Sequence, residues 1–454
     1  MTALPPKPAA RPRKTSLWRY LRLFRQDILS AQPDHLFNAW MAEFRTPFFR
    51  SYLINDPEVV SQILKGDPQE FPKSTRVAEG LRPLLGDTSV FLTNGAAWAS
   101  QRRIIDPAFA GGGVAGAVPL IRAACQDRIA ALAKDGPKPF DIEPVASHLA
   151  ADIIFRVLFS VPITDALASA VFTRFQAYQR AGPLVNLGAF LSLPRWVPRL
   201  HRGAARNAAR DIRAAMAGLV DRRASEISAG QAPDDLATRL MTAKDPETGQ
   251  GLDRNAMIDQ VAIFFLAGHE TSAAALSWAL YLVAGDPGVS ARVREEIAAL
   301  DPENLTISDV SKLGFTRNVF RETLRLYPPV PMMVRTPTGP QHFRKRDVTP
   351  GAQLVISPWH LHRHRRLWSD PDAFRPDRFT DPEDREAVER AYLPFSTGAR
   401  VCPGAGLAMT EGVLCLALLV RAFDWGRDRE RVPVPVAHLT TRSKDGIWLS
   451  AHPR

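Results

Sequence analysis

Phe395-Ser-Thr-Gly-Ala-Arg-Val-Cys-Pro-Gly404 is the stretch that decides how the rest of the chain is read. Its two glycines permit a tight turn, and Pro403 stands where a helix would begin. An apolar run at helical spacing follows over 405–423. Cys402 is therefore expected beside a helix N-terminus, with backbone N–H groups and the positive end of the dipole close by. A thiol in that position loses its proton readily, and a thiolate suits a soft metal ion or a nucleophilic step. The plainer alternative is an ordinary buried thiol.

Outward from that loop, composition narrows the classes. The chain has 454 residues, 45% hydrophobic and 23% charged, close to the globular average, which excludes a disordered or fibrous protein. Its 38 prolines argue against long uninterrupted helical arrays. Three cysteines, Cys125, Cys402 and Cys415, cannot staple a chain of this length, so a reduced, cytoplasmic setting is expected. Residues 1–16 are Pro-rich and basic, without the apolar core of a secretory signal. Leu17, Leu21, Phe24 and Ile28 then recur at helical spacing opposite Arg19, Arg22 and Gln26. Such a helix either docks on its own domain or rests on an anionic membrane surface as a peripheral contact. It cannot span a bilayer, and no transmembrane span is expected.

Lysine and arginine number 58 against 47 acidic residues, a formal net charge of +11. The densest basic clusters, 342–346 and 363–366, lack interleaved stacking aromatics, and neither helix-turn-helix nor zinc-finger spacing occurs. Nucleic acid is not an expected partner. A basic face that steers an acidic protein fits the charge better.

Periodicity places a short strand and then a helix begun by Asp56-Pro57 within 47–65, and helices over 114–135, 141–160 and 203–228. A strand is expected at 351–357 and a final helix after Gly404. The longest pattern covers 253–284, with Asp253 as N-cap and Gly285-Asp286-Pro287 as its stop. Asp259, Gln260, His269 and Glu270 interrupt its apolar surface, which suits a helix through a large domain rather than a membrane. The expected fold is mainly α with a small β-sheet subdomain. Residues 1–30 form a basic tail with a short amphipathic helix, and residues 31–454 form one domain.

With every fixed position of F-x-x-G-x-R-x-C-x-G filled, residues 395–404 resemble the haem-binding loop of the cytochrome P450 superfamily. The resemblance runs from about residue 45 to the end, with further motifs in family order. It implies the P450 fold, a long central helix over haem b with the cysteine loop beneath. Cys402 becomes the axial ligand of the haem iron, its electron donation favouring O–O cleavage. Phe395, Arg400 and Gly404 belong to the same cofactor-binding loop, with Arg400 toward a propionate.

Other motifs take their meaning from that loop. Glu322-Thr-Leu-Arg325 opens into Leu326-Tyr-Pro-Pro-Val330 as the family's Glu-x-x-Arg does; a first copy, Glu79-Gly-Leu-Arg82, lacks that context. With Arg378 of Phe374-Arg-Pro-Asp-Arg-Phe379, the resemblance makes Glu322 and Arg325 a buried structural trio. Ala267-Gly268-His269-Glu270-Thr271-Ser272 resembles the oxygen-binding stretch. Ala267 and Gly268 then lie beside the cofactor, Gly268 admitting close approach and loosening the helix. Glu270 and Thr271 stand side by side for proton delivery, the alternative being a polar patch satisfied in the core. Trp98-Ala-Ser-Gln-Arg102 matches the family's W-x-x-x-R, so Trp98, Arg102 and also Arg335 are expected at propionates. His360, His362 and His364 alternate as metal ligands on a strand would, but the arginines around them argue against a cation site. Cys125 and Cys415 read as inert core residues.

The resemblance implies a monooxygenase that places one atom of O2 in a substrate C–H or C=C bond and reduces the other to water. Only residues 403–454 follow Cys402, so no fused flavin domain is expected. Electrons are expected from a separate ferredoxin or flavodoxin with its NAD(P)H reductase. The apolar stretch 184–193, with Leu84, Leu85, Val90, Phe91, Met332 and Met333, marks a greasy entrance for a fatty acid, terpenoid or carotenoid-like substrate. A peroxide-driven peroxygenase and a non-catalytic haem ligand sensor are the alternatives. Glu270 and Thr271 speak against the first, and the missing output domain against the second.

Overall fold

The computed structural model describes residues 4–12, 15–45, 50–78, 80–110, 112–181, 203–437 and 439–454. The apolar stretch 184–193 and Glu79 lie outside these residues. At the centre is the helix Arg254–Ala284, whose start is fixed by the Asp253 carboxylate accepting the Ala256 N–H. Its 31 residues extend about 46 Å at 1.5 Å per residue. Helices Ile142–Phe159, Gly203–Ser228, Gly314–Leu326 and Ala405–Ala422 pack around it, which is why most of its side chains are buried whichever way they point. One hydrophobic cluster gathers Phe155, Phe159, Phe175 and Phe265 at its first half. Another gathers Trp278, Tyr327 and the Ala405–Ala422 helix at its second half, where the Trp278 and Tyr327 rings stack 3.9 Å apart.

A four-stranded sheet flanks the helices, with spatial order Met41–Arg45, Arg50–Ile54, Gln353–Ile356, Met333–Arg335. The middle pair is parallel, Leu53 opposite Val355, and the outer pairs are antiparallel. The strand expected at 351–357 is shortened because residues 349–352 form a turn before it. Arg50–Ile54 leads into helix Pro57–Lys65, capped by Asp56 as its sequence required. A three-stranded antiparallel sheet joins Phe140–Asp141, Trp448–Pro453 and Phe423–Arg427, and two hairpins complete the β structure of the described residues.

The tail lies on this body. Lys7 pairs with Asp372 at 3.1 Å, and the Pro6 carbonyl accepts the Tyr327 hydroxyl at 2.9 Å. Ser16 caps helix Leu17–Gln26, after which Asp27 accepts the Ala437 N–H at 2.8 Å. Trp18 is 83% exposed on that helix, whereas Phe24 and Ile28 are half-buried. Helix Ala405–Ala422 is long and apolar enough to cross a membrane, and most of it is buried among helices Gly112–Asp135, Arg254–Ala284, Pro287–Ala298 and Gly314–Leu326.

Candidate active site

The cysteine loop closes on itself. The Cys402 N–H donates to the Phe395 carbonyl and the Val401 N–H to the Gly398 carbonyl, each at 3.0 Å. Gly398 is needed twice over: its φ is 73°, and a Cβ there would lie 2.1 Å from the Leu64 carbonyl oxygen at the end of helix Pro57–Lys65. Gly404, in contrast, has a φ of −86° that any residue adopts, and the helix begins at Ala405 rather than at Pro403. Cys402 does precede a helix N-terminus, but the expected acidity does not follow from the loop alone. The residue is accessible at the loop surface yet closely crowded, and burial pushes its thiol up while the Gly404 N–H and Arg102 pull it down. Desolvation prevails here, so the thiolate form needs a cation on the sulfur.

Around the loop the cations gather. Arg400 lies 4.0 Å over the Trp98 ring, with its Nε and Nη1 buried and unbonded. Arg102, one turn after Trp98 on helix Gly95–Phe109, donates to the Val401 carbonyl at 2.8 Å and pairs with Asp106 at 2.7 Å. Arg335, buried in strand Met333–Arg335, has among the described residues only its neighbour's carbonyl as a side-chain hydrogen-bond acceptor. A fourth cation, Lys73, bridges to Arg335 through the backbone and donates to the Val90 carbonyl. Burial, aided by repulsion from Arg400, Arg335 and Arg102, holds Lys73 down at about 6. Burial likewise lowers Arg335 and Arg400 to about 10. Among the described residues no carboxylate pairs with Lys73, Arg335 or Arg400. Such a cluster is costly unless an anion enters it. A ligand bearing two carboxylates would match that charge.

Lys73 belongs to no motif, and the sequence reading missed it. Its folded value of about 6 lies below an unfolded value near 10.4. Without an anion the folded chain therefore binds fewer protons than the unfolded chain between these values, and stability falls as pH drops from about 10 to about 6. Binding of a dianion reverses the depression. At pH 8 Lys73 is expected to gain about one proton as haem binds, so Lys73→Met is expected to lower the net proton uptake of haem loading by about one relative to wild type, measured by calorimetry in buffers of differing ionisation enthalpy.

Beneath the loop the trio forms as expected, and it is larger than expected. Glu322 and Arg325, both fully buried, pair through two contacts of 2.7 Å, and Arg378 reaches Glu322 at 3.3 Å. Asp384 is a fourth member, 2.7 Å from Arg378. Arg325 also donates to the carbonyls of His362, Pro371 and Ala373.

The central helix presents the stretch 267–272 in two directions. Ala267 is exposed in the middle of an otherwise buried helix, so this face opens on a cleft. Thr271 shares it one turn on, its Oγ1 donating to the Ala267 carbonyl at 2.5 Å. Phe109 ties this region to the loop: its ring meets Phe264 at 5.2 Å and would lie 3.7 Å from a Cβ on Gly404. Gly268 faces the neighbouring helix rather than the cleft, since a Cβ there would lie 2.9 Å from Ile154. The helix runs through it unbroken, so the expected loosening is absent. Glu270 is rotated about 100° from Thr271. Gln179, Thr440 (3.2 Å) and Arg442 (3.5 Å) hold its carboxylate there, so acid and alcohol are not in contact. Glu411, on the cysteine-loop helix, hydrogen-bonds Ser272 next to Thr271, and burial raises it to about 8.

The three histidines are structural. They sit on helix Pro358–Leu361 and the turn after it, not on a strand, and all three are buried. His362 accepts the Leu393 N–H at 2.8 Å, His360 meets Ser357 at 2.8 Å, and His364 stacks on Trp40. Burial keeps His360 and His362 at about 3, hence neutral. No metal-binding cluster of histidine, cysteine and acidic side chains occurs among the described residues. Cys125 and Cys415 are buried as expected, and they also meet, sulfur to sulfur, at 3.1 Å.

A family model described as Cytochrome P450 matches residues 30–448. The chain belongs to the cytochrome P450 family. Cyclooctatin synthase of Streptomyces melanosporofaciens is 32% identical over 407 residues, 88% of this chain and 84% of that protein. Cyclooctat-9-en-7-ol 5-monooxygenase of the same organism is 32% identical over 412 residues, 89% and 85% of the two chains. A crystal structure of a cytochrome P450, CYP102L1, shares the fold at a TM-score of 0.79, with 24% identity over 98% of this chain and all of that one. This P450 is accordingly a monooxygenase, and its cofactor is haem b. The residues fit that group: one accessible thiol in a closed loop, and three cations, Arg335 buried and Lys73 and Arg400 half-buried, that two carboxylates would balance.

Proposed function

We propose that this P450 hydroxylates or epoxidises a lipophilic small molecule, a fatty acid, terpenoid or carotenoid-like compound, using O2 and electrons from a separate ferredoxin or flavodoxin with an NAD(P)H reductase. Haem, when bound, supplies the one-electron and oxygen chemistry. The observation that carries the reading is the convergence of Cys402, the unbalanced cations and the open face at Ala267. Cys402 is the axial ligand. Arg400, Arg102, Arg335 and Trp98, joined by Lys73, hold the propionates, while Phe395 and Gly404 shape the loop. Glu322, Arg325 and Arg378 are structural. Residues 31–454 work as one haem unit, with 1–30 laid over its surface. The names of the two Streptomyces relatives describe a largely hydrocarbon skeleton, which supports a lipophilic substrate here.

Thr271 keeps a proton at Oγ on the cleft face, and Ala267 leaves room beside it. Glu270 resupplies that proton by leaving Arg442, taking up a proton from solvent water and passing it on, a side-chain rotation that its two adjoining hydrogen bonds resist. Redoxin-driven turnover of a lipophilic substrate, faster than turnover with hydrogen peroxide, tests the assignment. Thr271→Ala is expected to lower product formation ~100-fold while NAD(P)H consumption continues and peroxide accumulates. Unchanged product per NAD(P)H removes Thr271 from the relay.

A further inference from the structure

Where helix Gly203–Ser228 crosses the short helix Arg82–Leu85, the surface is hollowed into a groove of about 470 Å³. Its described lining is Arg82, Pro83, Arg206, Arg210 and Arg213, without an acid. Arg206, Arg210 and Arg213 follow at i, i+4 and i+7 and so share one helix face. Their commitments differ. Arg213 is anchored, donating to the Leu84 carbonyl at 3.1 Å and pairing with Asp259 of the central helix at 2.6 Å. Arg82 meets Asp87. Arg210 reaches only Asp211, at 3.9 Å between two largely exposed side chains. Arg206 has no acidic partner among the described residues. Two guanidinium forks thus face a hollow of small-ligand size, and their geometry matches a carboxylate.

The groove is joined to the substrate side through the central helix. Asp259, which anchors Arg213, also accepts the Thr88 N–H at 2.8 Å and its hydroxyl at 2.7 Å. Gln260 beside it accepts the Val90 N–H at 2.9 Å. Arg213 and the loop 87–92, with its half-exposed Phe91, therefore form one clasp on that helix. From Asp259 to the open face at Ala267 is ~12 Å along the axis. Resting on the reading of this P450 as an oxidiser of lipophiles, we infer that its substrate is a long-chain carboxylate. Arg206 and Arg210 hold the carboxylate in this groove, and the apolar chain runs along the loop 87–92 toward Ala267. That separation places oxidation far from the acid end.

Dodecanoate and methyl dodecanoate, titrated into the haem-loaded protein and followed by the Soret shift, test this. Wild type is expected to bind the acid about tenfold more tightly than the ester, the worth of a charge-assisted pair. Arg206→Ala/Arg210→Ala, exposed positions outside the haem site, removes that preference and leaves the ester's Kd unchanged. Equal Kd values in wild type, a preference that survives the double substitution, or an equal weakening of both ligands overturns the groove. The reduced carbon monoxide spectrum of the same samples keeps the two readings apart. Where it reports thiolate-bound haem and the acid preference is absent, only the groove fails. Where it does not, the monooxygenase reading fails, and calorimetry still reads dodecanoate at the groove.

Discussion

Cys402→Ser is expected to abolish redoxin-driven product formation while leaving the fold intact. The backbone contacts that close the loop, Cys402 N–H to the Phe395 carbonyl and Val401 N–H to the Gly398 carbonyl, do not use the side chain. A hydroxyl of similar size therefore sits in the same place, and Tm is expected to hold. What disappears is a soft, electron-rich ligand, since a serine hydroxyl neither ionises as readily nor donates as strongly. The reduced carbon monoxide complex reports the change directly: wild type shows the red-shifted Soret maximum of a thiolate complex, and the variant does not. A variant that keeps both the red-shifted maximum and turnover moves the axial ligand away from Cys402. Because burial otherwise pushes the Cys402 thiol up, haem loading of the wild type is also expected to release a proton from sulfur.

Glu322→Ala is expected to be the most damaging substitution to the fold. Arg325 and Arg378 are fully buried, and Glu322 is the carboxylate they share. Removing it strands positive charge in the interior, at a cost of ~3–5 kcal/mol. Against a total stability of ~5–15 kcal/mol, that is a large fraction. Arg325 also pins the carbonyls of His362, Pro371 and Ala373, and His362 in turn accepts the Leu393 N–H just before the cysteine loop. Loss of the anchor therefore reaches the loop that holds the cofactor. Purified Glu322→Ala is expected to contain little haem and to melt about 4 °C lower. Arg385→Ala, which breaks the exposed pair with Glu389, is the comparison and is expected to leave Tm where it was. Wild-type haem content and Tm in Glu322→Ala remove the trio from its structural role.

What the amino-acid order determined is what acts over a few residues. Asp56-Pro57 and Asp253 start their helices because a carboxylate caps nearby N–H groups wherever the chain later goes. Glu322 and Arg325 meet because three residues make nearly one helical turn. Residues 395–404 close on their own hydrogen bonds, so the loop was legible, and with it the family. The helix Arg254–Ala284 could be placed because its caps and its length are local properties.

Only the tertiary structure decided which distant groups face one another. Asp384 completes the trio, and Lys73 joins Arg335 and Arg400, because the four-stranded sheet and the loops around it fold those segments together. Adjacent Glu270 and Thr271 part company for the same reason, since a helix turns consecutive side chains toward different neighbours, one to Arg442 and one to the cleft. Acidity likewise escaped the sequence. The dipole beside Cys402 is a local feature, whereas the desolvation that outweighs it comes from everything packed around the loop.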